Sequence, residues 1–260
     1  MSVSAPIHVW RRGAGVPLVL VHGFAGHAES WAEVAGLLPE GRTVLGLTLP
    51  GHDPASSAPP GASFEECIDL IASWIKDKAS TRLEAAGYSM GGRVVLGLLA
   101  RHPGLVSSAL LVGANPGLGT DEERRERAEW EEGWARLLEE EGIEAFAAIW
   151  ESLPLFETQT CLPPERLERQ RAIRLRHDAR GLAAALRSLG LAAMPDYRPA
   201  LPGITVPVRL LVGERDEKFL AIARDMERDL PRGALIVAPG AGHNVILERP
   251  ELAARLLARQ

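Results

Sequence analysis

The run Gly87-Tyr88-Ser89-Met90-Gly91-Gly92-Arg93 constrains this chain more than any other stretch. A short strand-like segment, Leu83 to Ala86, precedes it, and a helix-like segment, Val94 to Ala100, follows it. G-x-S-x-G between strand and helix predicts a turn so tight that its serine sits strained at the tip with the hydroxyl exposed. Small residues at Gly87 and Gly91 let the neighbouring backbone pass without clashing. The helix, beginning at about Met90, aims free N–H groups and the positive end of its dipole at any charge that develops there.

A serine hydroxyl is a weak nucleophile or base at neutral pH. It needs a histidine to take its proton and a carboxylate to orient that histidine. On a strand-turn-helix elbow the order is Ser, acid, His. Only His102, His177 and His243 follow Ser89. His243 lies in the glycine-rich loop Pro239-Gly-Ala-Gly-His-Asn, ahead of the final helix. Asp216 lies in Gly213-Glu-Arg-Asp, directly after the apolar strand Val206 to Val212. Both positions are strand ends, where loops carry catalytic groups in open α/β sheets. His102 precedes Pro103 at a helix end and reads as a partner of the helix C-terminus, while His177 sits at an arginine-rich helix end. Asp216 also reads as the N-cap of a helix running from Glu217 to Leu230, and Glu214 is the competing acid. The backbone N–H groups of Phe24, after the strand Leu18 to Val21, and of Met90 are the candidate oxyanion donors.

Strand-like stretches recur at His8–Arg11, Leu18–Val21, Thr43–Thr48, Leu83–Tyr88, Ser107–Val112, Val206–Val212 and Ala234–Ala238. Helix-like stretches fall at Glu29–Leu38, Phe64–Lys78, Val94–Arg101, Phe219–Leu230 and Glu251–Arg259. This alternation predicts an α/β fold with βαβ units around a mostly parallel sheet. The continuous apolar runs Leu18-Val-Leu-Val21 and Ala109-Leu-Leu-Val112 suit a sheet covered on both faces. Between about Asn115 and Pro202 the alternation stops, and the chain turns helical and highly charged, as in Asp121-Glu-Glu-Arg-Arg-Glu-Arg-Ala-Glu-Trp130. This predicts a core made of residues 1–114 and 203–260, with residues 115–202 inserted as a helical cap over the serine.

The 260 residues suit one α/β domain with an insertion, and an apolar content of 46% suits a soluble globule. A net charge of −5 gives no general attraction to nucleic acid or to an anionic membrane. No apolar run approaches ~18 residues and no leader segment is recognisable, so a cytoplasmic protein is expected. The two cysteines, Cys67 and Cys161, read as free thiols. No His, Asp and Glu cluster has ligand spacing, so neither metal nor cofactor is expected. A monomer or small homo-oligomer is consistent with these properties.

Four motifs in order, His22-Gly-Phe24, Gly87 to Arg93, Gly213-Glu-Arg-Asp216-Glu-Lys-Phe219 and Gly242-His243, resemble the α/β-hydrolase superfamily. Arg93, the segment Ala114-Asn-Pro-Gly-Leu118 with Glu123 and Arg127, Trp150-Glu-Ser-Leu-Pro-Leu-Phe156 and Arg180-Gly-Leu-Ala narrow the resemblance. Together they resemble the 2-succinyl-6-hydroxy-2,4-cyclohexadiene-1-carboxylate (SHCHC) synthases of menaquinone biosynthesis, over nearly the whole chain. The resemblance implies elimination of pyruvate rather than hydrolysis, with Ser89, activated by His243 and Asp216, abstracting a ring proton. The oxyanion donors would then hold the succinyl ketone oxygen as charge develops on it.

A substrate bearing several carboxylates needs cations in the pocket. Arg93 sits in the first turn after the elbow, where a cation opposes the helix dipole at a cost of ~0.3–1 kcal/mol. It is four residues beyond Ser89 and can share its face, and arginine grips carboxylates bidentately. Escape to solvent or pairing with a loop acid is the alternative for Arg93. The family's cap motifs add Arg127 and Arg176 as carboxylate ligands, although an i,i+4 pair of Glu123 with Arg127 is an ordinary helix-surface feature. Tyr88 and Trp150 are candidate pocket walls, with core packing the alternative for Trp150. Thr48 stands where an acid is usual before Pro50-Gly-His, and Asn244 and Ile246 stand where Ala and His are more common. Two other classes remain open on sequence: an ester or C–C bond hydrolase using the same triad, and a non-catalytic ligand-binding protein on this fold.

Overall fold

The computed structural model describes residues 7–11, 13–53, 56, 59–78 and 81–258. Seven strands form one sheet: β1 (Ile7–Arg11), β2 (Leu18–Val21), β3 (Val44–Leu47), β4 (Leu83–Tyr88), β5 (Val106–Val112), β6 (Val208–Gly213) and β7 (Gly233–Ala238). Their order is β1-β3-β2-β4-β5-β6-β7, with β1 antiparallel to β3 and the remaining pairs parallel. The helices are α1 (Ala32–Leu37), α2 (Phe64–Lys78), α3 (Met90–Arg101), α4 (Asp121–Glu151), α5 (Pro164–Leu175), α6 (Ala179–Leu189), α7 (Glu217–Asp229), α8 (Val245–Glu248) and α9 (Pro250–Ala258).

Side chains alternate across a strand, and the apolar runs use both faces. Val19 and Val21 enter a core shared with α2, α3 and α7, including Ile68, Ile71, Val94, Leu98 and Met226. Leu18 and Leu20 enter the opposite core with Val34 of α1, Val245 of α8 and Ala253 and Leu257 of α9.

Strand and helix positions follow the sequence pattern with physically readable shifts. The expected strand from Val206 begins instead at Val208, because Pro207 has no N–H to give a ladder. The expected helix from Glu29 to Leu38 divides into a 3₁₀ turn, Ala28–Trp31, and α1. His27 caps that turn, with its side chain accepting from the Glu29 N–H. The last helix is α9, and Arg259, where its end was expected, lies outside the described residues.

The charged stretch between β5 and β6 is helical. It comprises α4, a 3₁₀ segment Pro154–Cys161, α5, α6 and a second 3₁₀ segment, Arg198–Gly203. Gly142 breaks α4 with φ 83° and ψ −177°, a backbone state essentially confined to glycine. The insert has its own apolar cluster of Ala135, Leu138, Phe146, Trp150, Leu182, Ala183 and Leu186, and the core residue Ala25 joins it. Salt bridges from Glu151 to Arg171 and Arg174 tie α4 to α5, and Arg187 of α6 bridges to Glu132 and Glu139 of α4.

Candidate active site

Ser89 follows β4 as the N-cap of α3, with φ 52° and ψ −110°, a left-handed backbone for a non-glycine residue. The N–H of Ser89 donates to the Val112 carbonyl (2.8 Å), which pins the turn to the end of β5. A Cβ on Gly87 would sit 2.2 Å from the Gly91 carbonyl oxygen, and one on Gly91 would sit 2.3 Å from the Val21 oxygen. Both positions therefore admit glycine alone, and the close approach aims the serine upward.

Ser89 Oγ donates to His243 Nε2 at 3.1 Å, and His243 Nδ1 donates to Asp216 Oδ2 at 2.7 Å. His243 and Asp216 are buried. Asp216 makes two contacts at once: Oδ1 accepts from the Phe219 N–H (3.4 Å) as the cap of α7 while Oδ2 faces the imidazole. Glu214 is exposed and accepts from the Gly240 N–H (2.8 Å), so it is not the acid of this relay. Phe219 and Tyr88 flank the imidazole with ring centroids at 4.4 Å and 5.4 Å. Burial, and then the charges of Glu248 and Asp216, push the Tyr88 phenol well above its ordinary pKa, so it keeps its proton.

A cavity of about 270 Å³ opens on this relay, lined by Ser89, His243, Phe24, Met90, Tyr88 and Arg93 among others. The N–H groups of Phe24 and Met90 donate to no acceptor among the described residues. Phe24 is the second residue of a turn closed by Gly26 N–H to the Gly23 carbonyl (3.0 Å). Two buried histidines hold the loop that carries it. Leu49 N–H donates to His22 Nε2 (3.0 Å), and Ala25 N–H donates to His52 Nε2 (3.1 Å). With Nε2 accepting, each ring keeps its proton on Nδ1, which donates to the carbonyl of Gly23 or Pro50. Burial pushes the His22 pKa down to about 3 and that of His52 well below its ordinary value.

Arg93 is the outlier in the cavity. It is 7% exposed, and Nη1 is buried with no partner. Burial pushes its pKa down to about 10, with the charge of Glu131 opposing that and Arg127 adding to it. Glu131 does not pair with it. Its Oε1 accepts from Arg127 Nε (2.8 Å) and the Leu191 N–H (2.8 Å), and its Oε2 accepts from the Ala192 N–H (3.1 Å). Neither alternative weighed from the sequence, solvent or a loop acid, describes Arg93.

Arg127, Tyr88 and Trp150 also line this cavity. Arg127 pairs with Glu131 rather than Glu123 and lies 4.2 Å over the Trp130 ring. Glu123 is drawn back instead to close the cap of α4 with the N–H groups of Gly119 and Thr120. Trp150 packs on Phe146 (5.3 Å) and also lines the cavity. Arg176 is not brought to Ser89. It caps the end of α5, pairs with Glu29 of the 3₁₀ turn (2.6 Å) and lines a neighbouring cavity of about 370 Å³. Phe24, Tyr88, Trp150 and Phe156 wall both cavities. Sequence reasoning missed Lys218, Asn115 and Glu131 as lining residues. Lys218 could have been found from its place two residues after Asp216. Of the unusual residues, Thr48 Oγ1 accepts from the Ala28 N–H (3.3 Å), Asn244 lines the neighbouring cavity, and Ile246 packs in the core. No group of three or more His, Cys, Asp or Glu among the described residues could hold a metal ion.

A parallel sheet with a serine elbow and a Ser–His–Asp relay at its strand ends defines an α/β hydrolase. The model of the alpha/beta hydrolase fold family accordingly matches residues 16–250. More particularly, the chain belongs to the family of 2-succinyl-6-hydroxy-2,4-cyclohexadiene-1-carboxylate synthases. The enzyme of that name from Enterobacter sp. (strain 638) is 33% identical over 93% of this chain and 90% of its own. The structure of MenH from S. aureus superposes with a TM-score of 0.91 at 28% identity, covering 96% of each chain. A thermophilic esterase from Thermogutta terrifontis, solved with malate bound, also superposes, with a TM-score of 0.82 at 26% identity over 97% of this chain and 92% of its own. The fold alone therefore does not choose between elimination and ester hydrolysis.

Proposed function

We propose that this chain is a lyase that eliminates pyruvate from 2-succinyl-5-enolpyruvyl-6-hydroxy-3-cyclohexene-1-carboxylate, giving SHCHC in menaquinone biosynthesis. The observation that carries the reading is Arg93, a buried guanidinium with an unpartnered nitrogen in the cavity that holds Ser89. An unpaired buried cation costs several kcal/mol, and a carboxylate of the substrate removes that cost. Lys218 brings further positive charge to the same cavity, and Arg127, paired with Glu131, lines it as well.

His243 takes the Ser89 proton while Asp216 steadies the imidazolium, and the serine oxygen removes the ring proton at C2. The electrons of that C–H bond form C2=C3, those of C3=C4 move to C4=C5, and the C5–O bond breaks. The leaving enolpyruvate is then protonated on carbon to pyruvate. Negative charge that reaches the succinyl ketone oxygen meets the N–H groups of Phe24 and Met90. Each such donor is worth ~10²–10³ in rate. Residues 115–202 act as the cap in this reading, closing the cavity with Arg127, Trp130 and Trp150. Arg176 serves it from the neighbouring cavity, across the Tyr88 and Trp150 wall. The enzyme works in the cytoplasm as a monomer or small homo-oligomer. The free thiols Cys67 and Cys161 support that placement, and no helix among the described residues is long and apolar enough to cross a membrane.

The test is pyruvate release from the enzymatically generated intermediate, coupled to lactate dehydrogenase, with wild type and Ser89→Ala. Fast release lost in the variant is expected. Release no faster than the spontaneous rate, together with turnover of nitrophenyl esters, would replace this reading with that of an ester hydrolase.

A further inference from the structure

Among the described residues, two that are not glycine have left-handed φ: Ser89 (52°) and Ala25 (54°). Such a backbone costs ~1–3 kcal/mol and persists only where the surroundings over-determine it. The elbow does this for Ser89. For Ala25 the constraint comes from the helical insert and from the core together. Its methyl is buried in the apolar cluster that also holds Phe146, Trp150 and Leu182 of the insert. Its N–H is held by His52 Nε2. The backbone carbonyl of His52 in turn accepts from Nδ1 of His177 at 2.8 Å, and the two rings meet edge to face at 5.5 Å. His177 lies between α5 and α6, 125 residues from His52. It is buried, its Nε2 has no partner, and burial pushes its pKa down to about 4. The neutral ring joins the insert to the loop beside Ser89 through its Nδ1 bond to the His52 carbonyl, with the Ala25 backbone also facing it.

We propose that His177 is a positioning residue: through the His52 carbonyl and the Ala25 N–H it couples the seating of the helical insert to the placement of the Phe24 N–H. The inference rests on the reading of that N–H as an oxyanion donor. Its structural half, the coupling, stands apart from the chemistry. When the insert is unseated, the strained Gly23–Gly26 turn loses its hold and relaxes, so the donor is in place only when the cavity is covered.

The experiment uses the full chain and the variants His177→Leu and His177→Asn. The asparagine amide keeps an N–H near the place of Nδ1, while leucine keeps volume alone. Deuterium exchange is followed by mass spectrometry on the peptide spanning Phe24 and Ala25. His177→Leu should exchange faster there, with the peptide spanning Ser89 unchanged, and His177→Asn should restore most of the protection. In pyruvate release, His177→Leu should lose ~10-fold in kcat, a fraction of the full loss of one donor, with KM within about twofold and partial recovery in His177→Asn. Unchanged exchange at Ala25 in His177→Leu overturns the proposal whatever the rate. A uniform rise across the chain, or a kcat loss that His177→Asn does not recover, also overturns it by reducing His177 to a packing residue. If the wild type releases no pyruvate, the reaction assigned above fails, and the exchange result still decides the coupling.

Discussion

Replacing Arg93 with methionine should move stability and activity in opposite directions. Burial takes the Arg93 pKa well below its ordinary value, down to about 10. At about 1.4 kcal/mol for each tenfold change in proton affinity, the folded protein carries about 3 kcal/mol of poorly compensated charge at neutral pH. Methionine keeps most of the aliphatic stem and adapts to irregular surroundings, so Arg93→Met should recover ~1–3 kcal/mol of that. For a chain of this size that is a rise of several degrees in Tm. Activity should fall, because a hydrogen bond to a charged group is worth ~1.5–3 kcal/mol. The expected loss is ~10–100-fold in kcat/KM for the multi-carboxylate substrate, with turnover of a neutral nitrophenyl ester, if any is seen, nearly unchanged. Thermal unfolding with and without a dicarboxylate, beside pyruvate-release kinetics, reads both sides. The dicarboxylate should raise the Tm of wild type more than that of Arg93→Met. A variant that is less stable than wild type and equally impaired on both substrates would refute the reasoning and make Arg93 a structural residue.

Two further outcomes follow from the same geometry. His22, His52 and His177 are held neutral below their ordinary pKa of 6.5, His22 down to about 3 and His177 to about 4. The unfolded chain therefore binds protons that the folded chain refuses, and stability is full above pH 6.5 and falls as pH drops below it. Between pH 7.5 and pH 5, His22 and His177 should each remove about 2 kcal/mol, with His52 acting in the same direction, read as a lower urea midpoint, and equal midpoints at the two pH values would contradict the assignment. Gly91→Ala places a Cβ 2.3 Å from the Val21 oxygen and 2.5 Å from the His22 oxygen. It should lose at least about 3 kcal/mol, seen as low soluble yield and Tm, and a normally stable Gly91→Ala would mean the elbow can open at little cost.

The sheet and the relay were legible in the sequence because both are written locally. Short continuous apolar runs marked the strands, and each member of the relay follows a strand within a short motif, so Ser89, Asp216 and His243 could be named in order. The shift at Val208 follows from one proline. The insert was legible as helical, but its arginines were not sortable. Arg127, Arg174 and Arg176 all sit in charged helical sequence, and what separates them is which way each helix faces after packing. The bond from His177 to His52 and the burial of Arg93 beneath the insert depend on contacts between distant parts of the chain. No spacing rule carries that information. His177 sat in an arginine-rich helix end with nothing local to mark it.

β5 and β6 lie side by side in register, Ala109 opposite Val208 and Val112 opposite Leu211, although the whole helical insert separates them in sequence. The sheet thus closes as though the insert were absent. A genetic exchange that cuts after β5 and rejoins before β6 leaves every strand pairing in place. With the insert acting as the cap proposed above, substrate range on this scaffold can be inherited as a cassette, separately from the machinery that moves protons. The condition is that the incoming cassette offer a counterpart to the few groups, Ala25 and the His52 carbonyl foremost, that meet it from below.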